Sequence, residues 1–139
     1  MLRKQILIAA VFFIAAVNAH ANDDCLYLYE AHVTDVYDAD TITVDVDLGF
    51  HTWIKGERIR LSRIDAPEVR GKEKVEGKLA RDWLREKILG KEILLRTIKS
   101  KKGKDSKGKF GRYLGEVILN DVNMNDELVK VGHAEYRDY

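Results

Sequence analysis

The chain has 139 residues, a length that predicts one domain with a small single core. Its 24 Lys and Arg residues are nearly balanced by 23 Asp and Glu residues, so the formal net charge is only +1. This balance excludes a protein that is basic over its whole surface, and any footprint for a polyanion must be local.

The first 21 residues have the pattern of a secretory signal peptide. Arg3 and Lys4 precede an unbroken apolar run over residues 6–17, and Ala-His-Ala at 19–21 offers a cleavage site. The run is shorter than the roughly 20 residues that span a bilayer, although an uncleaved anchor is the alternative. We expect a mature domain of residues 22–139, with 22 basic and 23 acidic side chains, exported to the periplasm or the medium without lasting membrane association.

Two strands are predicted at the start of this domain. Residues 26–36 are rich in β-branched and aromatic side chains, which are typical of strands. Residues 41–48 alternate between apolar and polar side chains, and this period of two predicts a strand with one buried and one wet face.

A third strand is predicted over residues 58–64, after a turn region that Gly49 and Gly56 bracket. Because side chains alternate along a strand, Ile59 and Leu61 share one face and Arg60 lies on the opposite one. The arginine is therefore placed away from the predicted core.

Residues 73–89 predict a helix that Gly90 ends. Its expected apolar stripe consists of Val75, Leu79 and Trp83, widened by Ala80, Leu84 and Ile88. We expect Trp83 to belong to the core rather than to a ligand-binding surface.

Two more strands, over residues 92–99 and 112–119, flank a lysine-rich loop. A short helix over residues 125–131 follows, with Asn125 as its expected cap. Three strands, a helix, two strands and a helix predict an α+β fold that is mainly β. The order suits a five-stranded OB-type barrel with one helix between the third and fourth strands and a short helix after the fifth.

Asp38 and Asp40 flank Ala39 just before the second strand. Aspartate is favoured in turns because its carboxylate bonds to the local backbone, and a turn is the simpler interpretation of this pair. The alternative is that one of the two acids does structural work while the other binds a metal ion.

The stretch Asp65-Ala-Pro-Glu68 is more specific. Pro67 fixes its own φ and biases Ala66 towards extended geometry, so the two acids leave the third strand on a stiff bend. Such a bend suits a site that must hold a metal ion and a water molecule in place. A polar loop that merely ends a strand is an equal alternative.

Residues 99–109 hold six lysines and a single acid, Asp105, a composition that an ordinary solvated loop would also have. Because Lys109-Phe-Gly-Arg112 completes this segment, we favour a loop beside a phosphate-binding face. In the alternative, Arg112 is a surface charge after a turn in which Gly111 takes an unusual φ.

In their joint occurrence and order, these stretches resemble the staphylococcal nuclease (thermonuclease) family. The resemblance covers residues 26 to about 136 and rests on Asp38-Ala-Asp-Thr41, Arg60 to Glu68, Lys109-Phe-Gly-Arg112 and Asn125-Asp-Glu-Leu-Val129. It implies an OB barrel with helices, in agreement with the element order.

The resemblance also implies a metal site and a catalytic base. Asp40, Asp65 and the main-chain carbonyl of Ala66 match the ligands of Ca²⁺ in this family. Oxygen ligands alone would also admit Mg²⁺ or Mn²⁺. Glu68 matches the glutamate that orients or deprotonates the attacking water.

Arg60 and Arg112 match the pair that binds the scissile phosphate and stabilises its transition state. Lys109 and Phe110 are the expected substrate contacts, with Phe110 in the place of a tyrosine common in the family. The implied protein is a secreted, calcium-dependent endonuclease that hydrolyses DNA and RNA and leaves 3′-phosphate ends. We expect a monomer, and the single cysteine, Cys25, permits no intramolecular disulfide.

Two alternatives stay open from the residues alone. The first is a non-catalytic OB-type module that binds nucleic acid, which would need basic and aromatic surface but not the acids and arginines together. The second is a secreted domain that binds oligosaccharide or protein, because a fold does not fix a function. The lysine loop and the paired arginines count against the second.

Overall fold

The structure is a computed structural model that describes residues 27–100 and 102–138. The predicted signal segment, its cleavage site and Cys25 lie outside the described residues. None of the helices in the described part combines the length and the apolar character that crossing a membrane requires.

Three antiparallel strands form the first half of the fold: β1 (Leu28–Asp38), β2 (Thr41–Asp47) and β3 (Trp53–Leu61). Their buried side chains follow the alternation of the sequence, because successive residues of a strand face opposite sides of the sheet. The barrel interior is filled by Val33, Val36, Ile42, Val44, Ile59 and Leu61, together with Leu95 and Val117 from later strands.

The second half closes a barrel. Its elements are β4 (Ile64–Asp65), α1 (Lys74–Ile88), β5 (Glu92–Thr97) and β6 (Tyr113–Leu119). β5 is antiparallel to both β1 and β6, and β6 also pairs in parallel with β3, where residues 59–61 lie opposite residues 113–115. The result is a closed five-stranded mixed barrel with helices, which confirms the predicted fold class.

Three short elements complete the chain: β7 (Val122–Asn123), α2 (Met124–Lys130) and β8 (Glu135–Tyr136). β7 pairs with β6, and β8 pairs with β4 in a separate two-stranded sheet. The sequence pattern did not predict β4, β7 or β8, because a two-residue strand has no periodicity to detect.

The third strand covers residues 53–61 rather than the predicted 58–64, so it begins and ends earlier than the sequence predicts. Gly56 lies inside β3 with a φ of +67°, and the β2–β3 register shifts between Val44 and Val46. The carboxylate of Asp45 accepts a hydrogen bond from the Gly56 N–H at 2.9 Å. Gly56 therefore marks a bulge within a strand rather than a turn before one.

The predicted apolar stripe of α1 is partly wrong. Val75 and Leu79 are 68% and 61% exposed, and the face packed on the barrel is formed by Gly77, Ala80, Leu84 and Ile88. Gly77 at the start of that face lets the helix lie against the backbone of residues 67–68. Trp83 packs partly buried against the core, as expected.

The predicted cap of the second helix is also wrong. The Asn123 side chain caps α2 by accepting hydrogen bonds from the N–H groups of Asn125 and Asp126. Asn125 is instead fully buried in the first turn of the helix. Its amide accepts from Val117 N–H at 3.1 Å and donates to the main-chain oxygens of Ser62 and Gly115 at 2.9 and 3.1 Å.

Replacing Asn125 by Ala should therefore lower the free energy of unfolding by about 3 kcal/mol, because three hydrogen bonds to buried backbone groups are lost and the Gly115 carbonyl keeps only the one from Ser62 N–H. Replacing Asn123 by Ala is the matched control, and loss of this half-buried helix cap should cost about 1 kcal/mol. Urea unfolding followed by circular dichroism measures both values. A smaller loss for Asn125→Ala than for Asn123→Ala would contradict this role.

Candidate active site

The β1–β2 turn positions the first acid. Ala39 and Asp40 are its two turn residues, as the simpler sequence interpretation expected. The main-chain oxygen of Asp40 accepts from Leu61 N–H at 2.8 Å, and its Oδ2 accepts from Ala66 N–H at 3.0 Å. These bonds tie the turn to the end of β3 and to the second acidic segment.

That second segment is held from two sides. Asp65 pairs with Glu135 across the β4–β8 sheet, and its Oδ2 forms an ion pair with Arg137. On the other side Gly77 of α1 lies against the loop, where an added Cβ would overlap the main-chain carbonyl of Glu68. The helix thus approaches the loop backbone more closely than a residue with a side chain permits.

Glu68 lies on the same loop. Its side chain is exposed, and its N–H donates to Glu73 Oε2 at 3.4 Å. In the described part of the chain its carboxylate has no hydrogen-bond partner. The structure therefore leaves the Glu68 carboxylate accessible to water and fixes only the backbone that carries it.

Arg60 joins the two acids. It lies opposite Thr41 in the β2–β3 ladder and is largely buried. Its Nη1 forms an ion pair with Asp40 Oδ1, while its Nη2 donates to Asp65 Oδ1 at 3.0 Å and to the Ile64 carbonyl at 3.3 Å. One planar guanidinium thus spans two carboxylates that come from separate segments.

Thr41 connects Arg112 to the cluster of Arg60, Asp40 and Asp65. The Nη1 of Arg112 donates to Thr41 Oγ1 at 2.9 Å, and the Thr41 hydroxyl donates in turn to Asp40 Oδ1 at 3.3 Å. The Nε of Arg112 is buried and has no hydrogen-bond partner among the described residues. Arg60 of β3 and Arg112, which immediately precedes β6, therefore meet around Thr41 at one end of the barrel.

Asp38 is buried beneath the turn. Its Oδ1 accepts from Asp40 N–H at 3.3 Å. Burial raises the pKa of the Asp38 carboxyl, and the hydrogen bond from Thr41 and the charges of Arg60 and Arg112 only partly offset that effect. Asp38 thus supports the turn from inside, whereas Asp40 contacts the second acidic segment.

Lys109 and Phe110 lie in a short kinked turn, Lys109–Gly111, that leads into Arg112. Phe110 has a φ of 63°, which non-glycine residues rarely adopt, and it is 91% exposed. Its ring centroid lies 5.6 Å from the Arg112 guanidinium carbon. An exposed aromatic ring beside an arginine offers a surface on which a nucleic-acid base can stack.

The oxygen donors at this end of the barrel have the chemistry that Ca²⁺ prefers. The carboxylates of Asp40 and Asp65 already converge on one cation, the Arg60 guanidinium. Across residues 27–100 and 102–138, no group of three or more His, Cys, Asp or Glu side chains is arranged to hold a metal ion. The expected set has only two carboxylates, so it fits an ion that keeps much of its hydration rather than a closed protein cage.

Two contacts of the site were missed by sequence reasoning. Thr41 stands inside the Asp38–Thr41 motif, and its hydroxyl could have been noted as a hydrogen-bonding group. Arg137 lies 72 residues from its partner Asp65, and no local pattern indicates this pair. Only the pairing of β8 with β4 brings the two together.

A closed five-stranded mixed barrel with helices is an OB-type domain, a class whose members bind oligonucleotides or oligosaccharides. The family model described as staphylococcal nuclease homologue matches residues 58–139, more than half of the chain. The chain belongs to this family, and membership indicates a nuclease or a nucleic-acid-binding function. The matched part contains Arg60, Asp65, Ala66, Glu68 and Arg112. A comparison with curated proteins found no match.

Replacing Gly77 by Ala should lower the free energy of unfolding, although Ala favours a helix over Gly by about 1 kcal/mol. The new methyl group must displace the Glu68 carbonyl, and overpacking of this kind costs about 1–3 kcal/mol. Urea unfolding measures the change. Glu86→Ala, at an exposed site on the same helix, is the control and should stay within about 0.5 kcal/mol of the wild type. A Gly77→Ala protein more stable than the wild type would contradict the close approach.

Proposed function

We propose that the protein is a secreted, calcium-dependent endonuclease that hydrolyses phosphodiester bonds of DNA and RNA and leaves 3′-phosphate ends. The observation that carries the proposal is the convergence of Arg60, Asp40 and Asp65, with Arg112 joined to them through Thr41. Family membership supports the general class, and the site supports hydrolysis over binding alone because it combines acids with arginines.

Asp40, Asp65 and the Ala66 carbonyl are the residues that would hold the calcium ion. The ion would supply positive charge beside the phosphate and help to present the attacking water. Ala66 needs no particular side chain for this role. Its N–H already fixes the Asp40 carboxylate, which supports the placement of its peptide group in the site.

Arg60 and Arg112 would bind the scissile phosphate and stabilise the charge that develops on it. A guanidinium fork matches phosphoryl oxygens in a bidentate manner, which a lysine cannot reproduce. In this structure the Arg60 fork is engaged by Asp40 and Asp65, so phosphate binding by Arg60 competes with those two ion pairs. The Nη1 of Arg112 donates to the neutral hydroxyl of Thr41, and a phosphate can replace this hydrogen bond at lower cost than an ion pair.

Glu68 would take the proton of the attacking water. Its carboxylate is exposed and unpaired within the described residues, as a base that must meet water requires. The stiff Pro67 bend and the contact with Gly77 restrict the backbone that carries it. Cleavage at the 5′ side of the bridging phosphate then leaves the phosphate on the 3′ end.

A second candidate is a non-catalytic nucleic-acid-binding module. The observation that favours it is that both acids neutralise Arg60, as purely structural ion-pair partners would. The two candidates differ in a single measurable outcome, which is whether bound nucleic acid is cut.

We expect the purified protein to cut single-stranded DNA and RNA in Ca²⁺ and to stop when a chelator is added. Glu68→Gln and Arg112→Lys should each lower turnover by about 10²–10³, because each removes a group aimed at the transition state. Lys130→Gln, on an exposed face of α2, is the control and should cut normally. The products should resist polymerase extension until a phosphatase removes the 3′-phosphate.

Tight binding without cutting in Ca²⁺, Mg²⁺ or Mn²⁺ would contradict the nuclease and establish the binding module. Cutting that persists in Glu68→Gln would instead show that another residue is the catalytic base. Extension of the products by a polymerase without phosphatase treatment would show that they carry no 3′-phosphate. It would therefore contradict cleavage at the 5′ side of the bridging phosphate.

We also propose export, with a mature chain that begins near Asn22 and acts as a monomer in the periplasm or the medium. The support is the order of Arg3 and Lys4, the apolar run over residues 6–17 and the small residues at 19 and 21. The intact mass of the exported protein tests this. A mass that includes residues 1–21 would overturn cleavage and favour an anchored protein.

A further inference from the structure

A groove of about 390 Å³ lies between β1 and α1, beside the loop that carries Glu68. We call it the α1 groove. It is lined by Asp35, Tyr37, Val69, Arg70, Lys74, Lys78, Arg81 and Arg85. Five of these eight residues are Lys or Arg and only one is acidic, in a chain whose overall charge is close to zero.

The helix side of the groove is a stripe of positive charge. Lys74, Lys78, Arg81 and Arg85 are spaced at i, i+4, i+7 and i+11, which places them within about 60° of one another around the helix. The stripe runs for about 16 Å along the axis. The acids of the same helix, Glu76, Asp82 and Glu86, fall outside the stripe and do not line the groove.

Some of these cations are already committed to the fold. Arg85 donates to Asp35 at 3.1 Å and to the Val36 carbonyl at 3.0 Å, and Arg81 is paired with Asp82 at 2.7 Å. The remaining three cations of the groove are not paired in this way among the described residues. In the described part of the chain, no carboxylate forms an ion pair with Arg70, Lys74 or Lys78. Ion pairs therefore fix Arg81 and Arg85 at the side of the groove. Arg70, Lys74 and Lys78 leave the groove with an excess of positive charge.

The outer face of β3 links the candidate active site to the groove. Arg58 and Arg60 are two residues apart on β3 and so share its outer face. The guanidinium carbon of Arg58 lies 5.4 Å from the ring centroid of Tyr37, and that of Arg70 lies 6.0 Å from the same ring. Positive side chains thus lead from Arg60 past Tyr37 into the groove.

The other side of the Glu68 loop has the opposite charge. A cleft of about 220 Å³ there is lined by Asp65, Glu73 and Glu135, among other residues, and by no Lys or Arg. Asp65 is paired with Arg60 and Arg137, so the negative charge of this cleft comes from Glu73 and Glu135. A polyanion bound at Arg60 and Arg112 would be repelled on that side and attracted on the α1 side. The loop therefore divides the surface into one favourable and one unfavourable path.

We propose that the α1 groove binds the phosphate backbone of a single nucleic-acid strand on one side of the scissile bond. The proposal rests on nucleic acid being the substrate of the site, and adds where a longer strand is held. Arg70, Lys74 and Lys78 contact phosphates, and Tyr37 offers an aromatic edge between the groove and the site. A strand too short to leave the site does not reach the groove.

The test compares labelled DNA oligonucleotides of about 3 and about 12 nucleotides by fluorescence anisotropy, between about 50 and 200 mM salt. A chelator is present, so the result does not depend on cutting. The test variant combines Lys74→Gln with Lys78→Gln. The control combines Lys87→Gln with Lys130→Gln, which removes the same charge away from the groove.

We expect the test variant to bind the longer strand about tenfold more weakly at low salt. The slope of log binding constant against log salt concentration should become shallower by about 1.4, or about 0.7 for each lost cation. Binding of the short strand should be unchanged, which also shows that the variant is folded. The control should match the wild type for both strands.

Equal binding of the longer strand by the wild type and the test variant would overturn the proposal, as would an equal loss in the control. So would a wild type that binds neither oligonucleotide. Groove-dependent binding to phosphatidylserine vesicles without a length effect on DNA would assign the groove to a membrane surface instead. A groove effect in a protein that never cuts in Ca²⁺ would leave this inference standing while the nuclease fails.

Discussion

The parallel pairing of β3 with β6 is the constraint on which the rest of the molecule depends, because it turns a curved sheet into a closed barrel. It requires Gly115, where an added Cβ would lie 2.9 Å from both Ile59 Cγ2 and Leu95 Cδ1. The carbonyl of Gly115 then accepts hydrogen bonds from Ser62 N–H and from the Asn125 amide. Barrel closure, the end of β3 and the docking of α2 thus share one position that has no side chain.

The same closure determines the charge balance of the candidate site. It brings Arg112, just before β6, to Thr41 of β2, which already lies opposite Arg60. Buried acids are costly unless they are paired, and Asp40 meets that requirement through Arg60, Thr41 and Ala66. The acids and arginines hold one another in place, so a ligand must compete with existing ion pairs. The site is ordered by its own electrostatics before any ligand is bound.

Charge separation on a larger scale follows from the position of α1. The helix packs with Gly77 against the Glu68 backbone, which directs its lysine and arginine stripe to one side of the loop. Glu73 and Glu135 line the cleft on the other side. A protein with almost no net charge can therefore have a positive surface on one side of the loop and a negative surface on the other. A polyanion responds to this local potential rather than to net charge.

The sequence by itself determined the five long strands, the two helices, the order that implies the barrel, and the motifs that hold the candidate residues. These features are local, because hydrophobic periodicity and turn residues act over a few positions. Tertiary structure alone decided that Val75 and Leu79 lie outside the buried face of α1, that Asn125 is internal, that Gly56 lies in a bulge, and that Arg137 meets Asp65. Each of these depends on contacts between segments far apart in the chain, where no residue pattern records which surfaces will meet.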